Sequence, residues 1–364
     1  MTGLVLLAGC QGAQTADKTS GDTVASTSGS SSGAETVVLH LASLDEINDN
    51  GQTYGPRAFI DSLADVSGGL ITAQVDEKYG DGSAGAEAEL VKAIATGKVD
   101  GGWPSTRAFA AAGIPGLEVV EAPMTITSYA AEKDLVSGPV ADALLAKLDG
   151  TGVVGLGLTV GALRRPFAAQ TPLLAPADWH GIKFRTFNSP VQSETITALG
   201  AVPVNAGFEW TDEILAGRLR GAEFDVAQYA ANGLTTEAGQ VTADVVLWPK
   251  VPLLSLSRQR FESLTDQQQQ WVRDAAKHAV QASVDATYDE STPAQQLCAQ
   301  GAQFYQAGPD QTQALQAVVQ PVLDRLAADP TSGPLLTDIQ AIAAKHPPDP
   351  PSTCATAATA PHSG

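Results

Sequence analysis

Arg185 closes an apolar run, Trp179-His180-Gly181-Ile182-Lys183-Phe184-Arg185, after which Thr186-Phe187-Asn188-Ser189-Pro190 leads into a helix that closes at Leu199-Gly200. The pattern predicts a guanidinium at the carboxyl end of a strand, facing a helix N-terminus. In open α/β sheets ligands bind at that end, and a helix start adds free N–H groups and a positive dipole end that favour an anion. A guanidinium fork also matches a carboxylate with two parallel hydrogen bonds. The chemistry this predicts is carboxylate capture, with Arg185 as the head-group clamp. Trp210 and Tyr229 are aromatic residues that either line such a cavity or pack in a core.

Other chemistries fit less well. Gly155-Leu156-Gly157-Leu158-Thr159-Val160-Gly161 approaches a dinucleotide fingerprint, but its third glycine is one residue late and strand residues continue where a helix should open. Glu46 to Gly51 resembles the front of a calcium loop, yet Arg57 stands where a bidentate Glu is required. His40, His180, His278, His346 and His362 make no metal-ligand spacing, so no metal and no cofactor is expected. Ser83 lacks the leading glycine of a nucleophile elbow. The alternative function, a lipid-anchored hydrolase acting on a carboxylate-bearing substrate, needs a general base beside the ligand, and no residue is marked for it. No catalytic residue is assigned.

The elements that must position Arg185 follow an α/β pattern from Thr36. Val37 to Leu41, Leu70 to Val75 and Val99 to Trp103 read as strands, separated by amphipathic helices that end at Gly68-Gly69 and Gly97. A helical stretch through Ala130 to Leu148 precedes a second set. In it Val153 to Val160, Leu163 to Ala168, Ile182 to Arg185, Val202 to Val204, Val241 to Leu247 and Val251 to Leu256 are strands. From Thr265 the chain reads as helical to about Gln300, then again from Gln311 to Ala328. Strands alternating with helices imply parallel, doubly covered sheets. The expected fold class is α/β, two lobes with doubly wound sheets and a long C-terminal helix bridging them. The expected first lobe is 35–160 plus about 251–285, and the second is 161–250 plus about 286–345. A ligand cleft between the lobes is the natural product of that layout.

The bulk numbers agree with a binder of small molecules. The 364 residues suffice for two ordinary domains, and the net charge of −19 with only 21 Lys and Arg excludes a nucleic-acid stripe. Any anion site must then be a local exception to an acidic surface. The first residues, Met1 to Cys10, form a short apolar stretch ending Leu7-Ala8-Gly9-Cys10, followed by a Gln, Ser, Thr, Gly and Ala leash over 11–34. This looks like the lipobox of a bacterial lipoprotein with Cys10 lipidated, which places the chain on the outer face of the cell membrane. No later stretch reaches the ~18 to 20 apolar residues a bilayer span needs. Cys298 and Cys354 remain as a pair, either a disulfide fastening the Pro-rich tail, whose end at 346–364 reads as flexible, or two free thiols.

From about residue 36 to about residue 330 the chain resembles the solute-binding proteins of tripartite ATP-independent periplasmic (TRAP) transporters, the DctP-like family. The resemblance is carried by Gly97-Lys98-Val99-Asp100-Gly101, the stretch Leu117 to Met124, Arg164-Arg165-Pro166-Phe167 and the Arg185 run. Leu199-Gly200-Ala201-Val202-Pro203-Val204 and Phe261-Glu262-Ser263-Leu264-Thr265 continue it. It implies a two-lobed monomer that captures a small organic acid outside the cytoplasm and passes it to a membrane permease. It also implies that Arg185 holds the ligand carboxylate and that Arg165 matches a second family arginine. Strand alternation allows only one of Arg164 and Arg165 into the cleft, and Arg165 is preferred. Phe208 matches an apolar cleft residue, and Glu87 a polar position near a helix start in the first lobe. Each also reads as ordinary packing or surface. The stretch Leu219 to Asp225 departs from the family by lacking an amide near Phe224. That leaves Phe224, Asp225 and Tyr229 as the second-lobe candidates and favours a smaller or more apolar acid.

Overall fold

The structure, a computed structural model, describes residues 36–47, 53–234 and 237–354. Cys10 and the leash therefore lie outside the described residues. Strands β1 (Val37–Ala42), β2 (Ile71–Asp76), β3 (Gly101–Gly102) and β4 (Val153–Leu158) belong to one sheet. The chain then crosses to a second sheet with β5 (Ala162–Ala168), β6 (Lys183–Thr186), β7 (Val202–Asn205), β8 (Gly221–Phe224), β9 (Gln240–Thr242) and β10 (Trp248–Lys250). It returns to the first with β11 (Leu253–Ser257) and adds β12 (Gln303–Tyr305) to the second.

Spatial order in the first sheet is β2-β1-β3-β11-β4, and in the second β12-β9-β5-β8-β6-β7, with β10 also paired to β5. The expectation of purely parallel sheets needs correction. β1 runs parallel to β2 and β3, and β6 to β7 and β8, but β11 is antiparallel to both its neighbours and β5 to β8, β9 and β10. The reason is topological. The strands that carry the chain between lobes enter their sheet from the other lobe rather than over a helix, so the right-handed crossover that enforces parallel pairing is absent there.

Helix ends follow local chemistry. Ser189 accepts a hydrogen bond from the Gln192 N–H and Pro190 takes the first turn, so the helix Pro190–Ala198 starts directly after β6. Thr265 and Gln268 form a reciprocal capping box for the helix Asp266–Asp285, which packs along Tyr54–Ser67 on the first lobe. The helical reading to Gln300 is broken at 286–290, and the helix Ser291–Ala299 follows. Its Cys298 is disulfide-bonded to Cys354, closing the tail against it.

Each lobe has its own core. Leu39, Phe59, Leu63, Leu254 and Val272 form one cluster in the first lobe, and Phe167, Trp210, Phe224 and Tyr229 one in the second. The C-terminal bridge is the helix Gly308–Ala328. Leu315 and Val319 near its start join the second-lobe cluster of Trp179 and Phe184, whereas Val322 and Leu326 join the cluster of Leu135 and Leu144. The last helix, Gly333–Ala343, buries Leu335, Leu336, Ile339 and Ile342 in that same cluster, which also takes in Leu163, Val191 and Val246 from the second lobe.

Candidate functional site

Between the sheets lies a cavity of about 400 Å³. Its cations are Arg107, Arg164, Arg185 and Lys250, with Lys78 at the rim; its rings are Phe187, Phe208, Trp210 and Phe224; its amides are Gln228 and Asn232. Most of these hang from the carboxyl ends of strands. Arg185 is in β6 and Phe187 just past it, Asp45 follows β1, and Arg107 follows β3 at the head of the helix Ala108–Ala111.

Arg185 is 1% exposed. Its Nε donates to the Ala206 carbonyl at 2.9 Å, its Cζ lies 4.2 Å from the centre of the Phe187 ring, and Trp210 stands at 5.5 Å. The nearest carboxylate, Glu223, is 3.9 Å away, and Arg185 Nη1 has no hydrogen-bond partner among the described residues. Burial, only partly opposed by Glu223 and reinforced by Arg164 and Arg107, pulls the guanidinium down to about 9. A buried cation in this state has a strong preference for an anion placed against it.

The other cations carry their own counter-charges. Arg164 Nε pairs closely with Glu223 and its Nη1 with Asp225 at 2.9 Å. Burial alone would raise Glu223, but Arg164 outweighs it and the carboxyl sits below its ordinary value. Lys250 Nζ reaches Asp45 at 2.7 Å, and the Gln228 amide donates to the other Asp45 oxygen at 3.2 Å, which ties a first-lobe turn to the second lobe. Asp45 is likewise held low, Lys250 overcoming the effect of burial.

The sequence candidates divide accordingly. Arg185, Phe208 and Phe224 line the cavity, as does Trp210. The preference for Arg165 over Arg164 is corrected. The two do alternate across β5, but Arg164 has the cavity face, and Arg165 turns away to Glu290 at 2.7 Å and the Ala243 carbonyl at 3.0 Å. Glu87 does not line the cavity. It is buried behind it, one oxygen on Arg107 Nε at 2.6 Å and the other accepting from the Ser105 N–H. Asp225 caps the helix Val226–Ala231 through the Gln228 N–H and pairs with Arg164, and Tyr229 is buried below, its hydroxyl accepting from the Ala238 N–H. One turn after Phe224, Gln228 and Asn232 bring amides to the cavity wall at helical spacing on one face.

Residues 52–329 match bacterial extracellular solute-binding protein, family 7, DctP. The chain belongs to this family. Among curated relatives of this family-7 protein is the C4-dicarboxylate-binding periplasmic protein DctP of Rhodobacter capsulatus, 31% identical over 140 residues, which are 36% of this chain and 42% of that protein. Another is the 2,3-diketo-L-gulonate-binding periplasmic protein YiaO of Escherichia coli, 24% identical over 44% of this chain and 47% of that one. The chain thus matches less than half the length of either. Solved folds similar to it include a TRAP periplasmic solute-binding protein from Ralstonia eutropha with bound (S)-2-acetolactate, at TM-score 0.74, 20% identity and coverage of 85% of this chain and 99% of that one. A Sulfitobacter counterpart with bound β-D-galacturonate has TM-score 0.73 and 22% identity, covering 84% of this chain and 100% of that one.

Several cavity residues of this family-7 protein went unmarked in its sequence, among them Arg107, Asp45, Phe187 and Lys250. Arg107 comes after the end of β3 and Arg185 lies at the carboxyl end of β6, so the rule that singled out Arg185 reaches Arg107 too. Asp45 and Phe187 also sit just past strand ends, β1 and β6. Lys250 follows Trp248-Pro249 on a strand whose face only the β5 pairing decides. Among the described residues no helix is long and apolar enough to cross a membrane.

Proposed function

We propose that this protein captures a small organic acid between its lobes outside the cytoplasm and delivers it to a membrane permease. Arg185 takes the carboxylate and Arg164 shapes the floor behind it. The observation that carries the reading is the buried Arg185, whose Nη1 has no hydrogen-bond partner among the described residues and whose nearest carboxylate, Glu223, stands 3.9 Å away and is closely paired with Arg164, in a cavity otherwise made of compensated charges and rings. The family membership and the acids bound by the relatives support it. Binding of a Lys250–Asp45 and Gln228–Asp45 type, joining one lobe to the other, gives closure a means of reporting occupancy. Lipidation at Cys10 would hold the monomer at the outer face of the cell membrane, checked by mass spectrometry of the mature N-terminus. The chain's role is reversible capture rather than turnover.

The test is calorimetric titration against a panel of organic acids. Stoichiometric binding with the acid recovered unchanged is expected; appearance of product sinks the reading. Arg185→Ala should weaken the best acid by more than about tenfold, since it removes a charge-assisted partner worth over ~1.4 kcal/mol. Retained affinity would remove Arg185 from its role.

A further inference from the structure

After the helix Gly333–Ala343 the chain runs from the first lobe to the second and is held at both ends. On the first lobe its anchor is the helix Tyr129–Ser137, which packs on β4 and on the helix Asp266–Asp285. There His346 Nε2 meets Asp134 at 3.1 Å, the Asp349 N–H donates to the Thr127 carbonyl at 3.2 Å, and an Asp349 oxygen accepts from the Tyr129 N–H at 2.8 Å. On the second lobe the anchor is the helix Ser291–Ala299, whose Ala294 and Leu297 sit in the cluster of Phe167 and Trp210. The Gln295 amide donates to the Thr353 carbonyl at 2.7 Å, and Cys354 is bonded to Cys298. Between the anchors Pro347, Pro348, Pro350 and Pro351 each fix a φ angle, so the segment is a stiff strut rather than a loose tether.

The strut lies behind the crossing at 286–290. Its Ser352 hydroxyl donates to the Glu290 carbonyl at 3.4 Å. The Glu290 carboxylate accepts from Tyr129 of the first lobe at 3.0 Å and from Arg165, on the face of β5 away from the cavity, at 2.7 Å. The disulfide closes a ring over a separation of 56 residues. That ring leaves the second lobe along the helix Gly308–Ala328, docks through Gly333–Ala343 beside Tyr129–Ser137 and Pro139–Leu145, and returns to the second lobe at Cys354. Both cysteines are half-buried, within reach of a small dithiol.

We infer that this strut holds the lobes in the arrangement that encloses the cavity, and that reduction of Cys298–Cys354 by an external dithiol releases it and weakens acid capture. One thiolate of the dithiol attacks a cysteine sulfur to give a mixed disulfide, and its second thiol then displaces the protein. The S–S bond is broken, both cysteines end as thiols carrying the dithiol's protons, and the dithiol leaves oxidised as its own disulfide. The intact ring excludes arrangements in which the helices Tyr129–Ser137 and Ser291–Ala299 part, and with it in place the cavity is enclosed. Once freed, the lobes sample other arrangements, and affinity falls with the share of molecules in the competent one. This rests on the acid-capturing reading above and adds a control to it.

Purified full-length protein is titrated calorimetrically with succinate, glutarate, acetolactate and galacturonate, oxidised and after dithiothreitol, beside a variant carrying Cys298→Ser and Cys354→Ser. Reduction and the double substitution are each expected to weaken the best of these acids about fivefold while melting remains cooperative. Reoxidation should restore the affinity of the unaltered protein, and dithiothreitol should leave the variant as it was. Hydrogen exchange gives a readout that needs no acid. The Val160 and Gly161 N–H groups, bonded to Ser283 Oγ and Glu132 where the chain crosses between lobes, are expected to exchange faster once the disulfide is open. Equal affinity in the oxidised and reduced protein overturns the inference and leaves capture standing, since a lower melting temperature alone describes an ordinary structural disulfide. Absence of binding by all four acids in every form counts against the capture reading, and exchange then decides the strut by itself: faster exchange on reduction upholds it, and unchanged exchange overturns it.

Discussion

Arg164 and Arg165 are adjacent on β5, yet one faces the cavity with two carboxylates and the other faces away with Glu290. Both pairs are buried, and a buried ion pair contributes little by itself while the loss of one member is costly. Arg164→Ala is therefore expected to lower unfolding free energy by about 3–5 kcal/mol, because Glu223 and Asp225 would be left uncompensated. Urea unfolding measures it, and a loss below about 1 kcal/mol would mean that water or a neighbour takes over the pairing. Arg185 is the opposite case. Its nearest carboxylate, Glu223, is 3.9 Å away and shared with Arg164, which is poor for stability and suited to binding.

Element ends do the aiming. β1, β3 and β6 each finish at the cavity, and the residues just beyond them are Asp45, Arg107 and Phe187. The lobes meet closely where the turn after β7 reaches the turn before the helix Ala86–Ala95: Phe208 N–H donates to the Gly82 carbonyl at 2.9 Å. A Cβ at Gly207 would lie 2.1 Å from that carbonyl oxygen and 2.9 Å from Ala84 N, both backbone atoms that cannot swing aside. Gly207→Ala is expected to hold the lobes apart, lowering acid affinity about tenfold with the fold retained. Small-angle scattering with and without ligand checks this. An unchanged profile and affinity would show that the approach of these turns is not needed for binding.

Two carboxyls at the joints between lobes set a pH dependence for the whole molecule. Glu121 accepts from Ser189 and from the Gln192 amide, each at 2.6 Å, and Gln192 in turn accepts from the Phe187 N–H. Glu132 accepts from the Gly161 N–H at 2.9 Å, where the chain passes from β4 to β5. Burial raises both from 4.5 to about 8. The folded protein thus holds protons that the unfolded chain releases, so the stability from these groups is whole below about 4.5 and is lost as pH rises toward about 8. Melting temperature should fall across that window, and Glu121→Gln with Glu132→Gln should flatten the slope. A slope unchanged in the double variant would assign it elsewhere. Asp45, Glu87 and Glu223 are held low by their cations, so their contributions are lost only in more acid solution.

The amino-acid sequence by itself determined the α/β alternation, the caps at Ser189 and Thr265, and the placing of Arg185 at a strand end, because each depends on residues within one or two turns of chain. It also carried the family resemblance, which is a matter of order and spacing. Only the tertiary structure decided which face of β5 meets the cleft, since that follows from the pairing of β5 with β8, β9 and β10, three strands distant in sequence. It likewise brought Arg107, Lys250 and Gln228 into one cavity. Their side chains converge because two sheets present their strand ends to each other, and no local periodicity records that convergence.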